Sequence, residues 1–220
     1  MWKIATTVVL TLAAAAGVGL GANPAAADST LGLFDISRVA RAVAASIPGT
    51  SPSTATPGAQ LWVSRYNGLG NAGGEATAVA VSPDGGTVFV TGYSSGGTSG
   101  DDYATVAYNA TTGAQLWLSR YNGLGNGQDE ARSMAVSPAG DTVYVTGFSS
   151  GGSSGPDYAT VAYNATTGGQ QWVSTYNGPS NGTDVANSVA VSPSGAKVYV
   201  TGSSDGGISG ADYATVAYTN

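Results

Sequence analysis

Two patterns of apolar and polar residues divide the chain. Between residues 28 and 57, Ile36, Val39, Ala40, Val43 and Ile47 recur at helical spacing. Asp35 stands where a cap would start the helix, and Pro48-Gly49 ends it. This predicts a short helix that packs on the first repeat, stays mobile or docks on a partner, tethered by the Pro/Ser/Thr-rich stretch GTSPSTATPG. From Gly58 onward the pattern changes to short runs of Val, Thr, Tyr and Ala broken by Gly, Asn, Asp and Ser, which predicts many short strands and turns. In the middle of the chain the runs are ARSMAVS, TVYVTG, YATVAYN and GQQWVSTY, separated by PAGD, FSSGGSSGPD and ATTG. Apolar or small side chains occupy both alternations in TVAY and AVAV, as expected of strands covered on both faces.

The runs repeat. Trp62, Trp117 and Trp172 are spaced 55 residues apart, as are Tyr103, Tyr158 and Tyr213, and residues 58–112 match residues 113–167 at 42 of 55 positions. Four sequential strands per period predict a β-propeller blade. The expected fold is therefore all-β, with three four-stranded antiparallel blades over residues 58–220. The small residues Ala78, Val79, Ala80 and Val81 suit an innermost strand crowded near an axis.

The repeats open on GAQLWVSRY, a fourth strand without a blade of its own, and the last phrase, DYATVAYTN, stops after a third strand. The expectation is that the N-terminal strand completes the last blade, hiding an exposed edge. Propellers typically hold roughly four to eight blades. Three repeats thus leave open a compact three-bladed chain, an open arc, a fragment, or a homodimer forming a six-bladed ring by exchanging N-terminal strands.

The first residues, MWKIATTVVLTLAAAAGVGLGANPAAA, add a location. Lys3, an apolar run and Ala25-Ala26-Ala27 predict a signal peptide over 1–27, cleaved after Ala27, and hence a secreted or cell-envelope protein. No later run has spanning length, so no stable membrane insertion is expected after cleavage. The formal charge is −6, and becomes −7 when Lys3 leaves with the leader. That balance disfavours nucleic acid and anionic membranes, and leaves proteins, glycans or cations as partners. With no His and no Cys, the chain has no imidazole base, no His-ligated zinc, no thiol nucleophile and no disulfide. Any metal would be held by oxygen, which favours calcium or magnesium.

DYATVAYNATTGAQLWLSRYNG and AVAVSPDGGTVFVTG resemble the bacterial β-propeller repeat called SBBP, and VFVTG and VYVTG resemble the YVTN-type propeller strand. These resemblances imply architecture rather than activity. Ala107 to Trp117 resembles the tryptophan-docking pattern A-x-D-x-x-T-G-x-x-x-W of quinoprotein propellers, and Ala162 to Trp172 repeats it, with Asn109 and Asn164 where that family has Asp. The resemblance implies that Trp62, Trp117 and Trp172 lock adjacent blades. Nothing in the chain matches that family's cofactor pocket, so no pyrroloquinoline quinone is expected.

A meander places its long loops together at one end, where a binding site is expected. Glu75, Asp129, Glu130 and Asp184 stand just before the innermost strands, near the axial mouth, and Asp102, Asp157 and Asp212 stand before the third strands. They read either as oxygen ligands for calcium or sugar hydroxyls, or as turn residues bonded to local backbone. A carboxylate pair would suit a hydrolase or lyase acting on polysaccharide. Asp129 and Glu130, however, are neighbours on an extended strand and point to opposite faces. The reading is an exported, non-catalytic binding or scaffolding module, with the carboxylate enzyme and a structural envelope component as alternatives.

Overall fold

The computed structural model describes residues 56–220. The predicted signal peptide and the helix expected between Asp35 and Pro48 lie outside the described residues. Eleven strands succeed one another: β1 (Gly74–Val81), β2 (Thr87–Ser95), β3 (Asp101–Asn109), β4 (Gln115–Tyr121), β5 (Asp129–Val136), β6 (Thr142–Ser150), β7 (Pro156–Asn164), β8 (Gln170–Tyr176), β9 (Val185–Val191), β10 (Lys197–Asp205) and β11 (Ala211–Thr219). They form three antiparallel sheets, two four-stranded meanders (β1 to β4 and β5 to β8) and one three-stranded meander (β9 to β11). The all-β, propeller-type architecture is the one the 55-residue period predicts.

Local chemistry explains the regularity. Asn109 Oδ1 accepts the backbone N–H groups of Thr111 and Thr112 at 3.0 Å each, and Asn164 does the same for Thr166 and Thr167. An amide side chain thus fixes the turn between the third and fourth strand of the first two repeats. The β1–β2 and β5–β6 pairs each skip one residue, between Ala76 and Ala78 and between Ala131 and Ser133. At those bulges the carbonyls of Glu75 and Glu130 press on Gly92 and Gly147, where a Cβ would overlap them. Buried Thr91 and Thr105 face each other across β2 and β3 with hydroxyls 2.9 Å apart, and Thr146 and Thr160 repeat the pair.

The middle sheet packs against both others. Phe89, Tyr103, Ala107 and Trp117 of the first sheet meet Val143, Val145, Val161 and Tyr163 of the second. Tyr144, Tyr158 and Ala162 meet Ala186, Val189, Val198 and Val200 of the third. Polar ties run along with the apolar contact. Tyr103 donates to the Ala159 carbonyl at 3.1 Å and Tyr158 to the Ala214 carbonyl at 3.3 Å, one repeat further on. Trp117 lies between Phe89 and Tyr163, with ring centroids 5.8 and 6.5 Å away, and its Nε1–H donates to the Ala165 carbonyl at 2.9 Å. Gly168 has φ 73°, and a Cβ there would lie 2.7 Å from the Trp117 ring.

The stretch GAQLWVSRY pairs with no strand among the described residues. Trp62 holds it on the first sheet instead. Its Nε1–H donates to the Ala110 carbonyl at 2.9 Å, and Ser64 donates to the Gly113 carbonyl. Trp117 and Ser119 make the same two bonds to Ala165 and Gly168. The segment therefore takes, toward the first sheet, the place that β4 takes toward the second, and among the described residues β11 keeps an edge without a neighbouring strand.

Candidate functional site

The loops at residues 67–73, 96–100, 122–128, 151–155, 177–184 and 206–210 share one end of the sheets, because each leads into an odd-numbered strand and the odd-numbered strands of a meander start at the same end. Two of the carboxylates placed there are internal braces. Asp129 is fully buried, with Oδ2 accepting Gly123 N–H at 2.9 Å and Oδ1 accepting Ser150 N–H at 3.0 Å. Asp184, also fully buried, accepts Gly178 N–H at 2.7 Å and Asp205 N–H at 3.1 Å. Each aspartate thereby fixes the loop before an inner strand to the end of the strand beside it. Burial pushes the Asp129 carboxyl above its ordinary range, while hydrogen bonds from Ser149, Gly123 and Ser150 oppose the shift. Gly74 occupies the equivalent place in the first repeat.

The other carboxylates have local partners of their own. Glu75 accepts a hydrogen bond from the Tyr93 hydroxyl at 2.8 Å. Glu130 lies 3.9 Å from Arg132, whose guanidinium stands 5.2 Å from the centre of the Phe148 ring. Asp102 accepts from Ser99 at 2.8 Å and from Arg120 at 3.1 Å. Arg120 also donates to the carbonyls of Ser94 and Ser95, tying the whole hairpin end together. Asp157 has only Ser154, at 2.9 Å, because Thr175 stands where Arg120 would be. Its buried Oδ1 has no partner among the described residues, and burial pushes its carboxyl upward. Asp212 accepts from Ser209 at 2.7 Å. No three carboxylates among the described residues are grouped to hold a metal ion.

This end exposes three aliphatic side chains among polar ones such as Asn122, Asn126, Gln128 and Asp212. Leu124 and Ile208 are 103% and 109% exposed, and Leu69, one repeat before Leu124, is also exposed. At this end braced backbone thus lies beside uncovered aliphatic side chains. Arg120 and the leucines escape a reading that looks for carboxylates. The repetition of Arg at 65 and 120, and of Leu at 69 and 124, is the signal that would find them. Of the tryptophans, Trp62 and Trp117 each donate to the turn of the sheet that comes next in the chain. Trp172 lies 5.9 Å from Tyr144 and 6.0 Å from Tyr218, ring centre to ring centre, and its buried Nε1–H has no acceptor among the described residues. The face of the first sheet carries a groove of about 200 Å³, lined by Trp62, Tyr66, Val90, Ala104, Val106 and Tyr108 among others.

Among solved structures, the periplasmic gluconolactonase of Pseudomonas aeruginosa is similar at 17% identity and a TM-score of 0.40, over 56% of this chain and 35% of that one. TolB from Acinetobacter baumannii is similar at 19% identity and a TM-score of 0.38, over 65% of this chain and 29% of that one. The chain therefore spans about a third of the length of these structures. No curated protein sequence matches it. The model of the family described as outer membrane protein assembly factor BamB matches residues 52–215, most of the chain. That match takes in all three repeats, with their tryptophans, turns and sheets, and the chain belongs to this BamB family of β-propeller proteins.

Proposed function

We propose that the chain is a non-catalytic binding or scaffolding module of the bacterial cell envelope, and that it binds protein through its long-loop end. The carrying observation is the division of labour at that end. The buried aspartates are engaged in holding loops, while Leu69, Leu124 and Ile208 stand uncovered. Exposed aliphatic anchors on braced loops, rimmed by polar residues, have the composition of a protein-contact surface. The envelope location rests on the predicted leader and on the family description, which names an outer membrane assembly factor. The SBBP-like and YVTN-like phrases agree with an exported propeller.

The test is site-specific photo-crosslinking in a bacterium exporting the full chain. A crosslinker at Leu124 is expected to give discrete protein adducts, and one at Thr112, on the tight-turn end, none. Equal labelling at both sites would refute the reading. So would release of reducing ends from a polysaccharide panel by the purified protein.

A further inference from the structure

The first and third sheets carry complementary halves of one repeat. We propose that the open edge and face of the third sheet receive the 58–66 segment and the first sheet of a second copy, so that two chains close head to tail. This goes beyond the binding reading and does not depend on it.

The register of the first sheet shows what would meet. Across β3 and β4, Tyr103 pairs with Tyr121, Ala104 with Arg120, Val106 with Leu118 and Ala107 with Trp117. Moved by two repeats on one strand and back by one on the other, the same register sets Tyr213 opposite Tyr66, Ala214 opposite Arg65, Val216 opposite Val63 and Ala217 opposite Trp62. Charge then falls into place. Arg120 lies 3.1 Å from Asp102 in the first sheet, and Asp157 in the second has Thr175 instead of an arginine. Asp212 in the third would be met by Arg65 of the incoming segment, as Asp102 is met by Arg120.

The faces match as well. Tyr103 reaches the Ala159 carbonyl of the second sheet, and Tyr158 reaches the Ala214 carbonyl of the third. The next tyrosine in the series, Tyr213, is 90% exposed. The surface due to receive it is the groove beside Ala104, the first-sheet counterpart of Ala159 and Ala214. A chain cannot supply this contact to itself while Trp62 holds its own 58–66 segment on the first sheet and the middle sheet packs between the other two. The contact is heterologous, so it must close by rotation or run on. Two copies of the three described sheets give six blades, inside the roughly four-to-eight range that propellers adopt.

The chain has no cysteine, so introduced thiols report one contact at a time. Val63→Cys and Val216→Cys single variants of the full chain, mixed and gently oxidised, are expected to form a covalent dimer that neither forms alone. Val106→Cys with Leu118→Cys places the same pair inside the first sheet and shows that this register accepts a disulfide. The proposal is overturned if that control closes while the mixture stays uncrosslinked. It is equally overturned if a Val63→Cys, Val216→Cys double variant closes within one chain. Light scattering is expected to give twice the chain mass for the unmodified protein, and a monomer at every concentration would refute it. Arg65→Asp is expected to raise the dimer dissociation constant about tenfold, with Asp212→Arg in the same chain restoring it. Absence of that rescue would overturn the ion pair. Photo-crosslinking at Leu124 reads the long-loop end alone, so its failure and the failure of this contact are distinguishable.

Discussion

Asp129 shows how a residue that looks chemical in the sequence becomes structural in the fold. Its two oxygens accept different backbone N–H groups, and an amide can supply only one such acceptor. Asp129→Asn should therefore lower stability at neutral pH by about 1–3 kcal/mol, read from the urea midpoint. The pH dependence has a definite sign. The folded carboxyl titrates above 3.8, so its contribution is fully present below that value and is lost as pH rises through the folded pKa. The Asn variant should lack this downward step in a pH series of unfolding curves. Asp157 offers the opposite experiment. Thr175→Arg copies the arrangement at Arg120, gives the orphaned Oδ1 a donor, and should stabilise by about 1 kcal/mol while lowering the Asp157 pKa. An unchanged urea midpoint would show that the arginine does not reach.

Among the elements, the fourth strand of each repeat is defined by what its tryptophan does. Trp117→Phe keeps most of the ring contact with Phe89 and Tyr163 but leaves the Ala165 carbonyl without its donor, at a cost of about 1–3 kcal/mol. Trp117→Ala should cost about 3–5 kcal/mol, because it also opens a cavity between two sheets. Calorimetric or urea unfolding of the pair separates the hydrogen bond from the packing. Strand boundaries were legible from composition: ARSMAVS lies within residues 129–137, where β5 runs Asp129–Val136, and GQQWVSTY contains β8, Gln170–Tyr176. GAQLWVSRY was not, because a strand exists only with a partner. Trp62 seats that stretch on a turn rather than beside β11.

At the scale of the whole molecule, no three carboxylates among the described residues come together, and Asp102, Asp129, Asp184 and Asp212 each accept hydrogen bonds of their own. Calcium or a chelator is accordingly expected to move the melting temperature by less than about 1 °C, whereas a bound ion at saturating concentration would raise it by several degrees. The candidate site was legible only in outline. Loop lengths pointed to the end that carries it, and the acidic residues there were visible. The burial of Asp102, Asp129, Asp157 and Asp184, and the exposure of Leu69, Leu124 and Ile208, depend on how loops fold over strand ends, which periodicity does not encode.

The period, the four-strand unit, the turn chemistry and the all-β class were all readable in the chain, because they come from local rules that each repeat obeys alone. Which copies of the same phrase become interior was settled only in three dimensions. YATVAY occurs at 103–108, 158–163 and 213–218. The first two copies are buried throughout, and the third alternates between partly covered and exposed positions. Burial is a property of neighbouring sheets, and among the described residues the third copy has one on only one side.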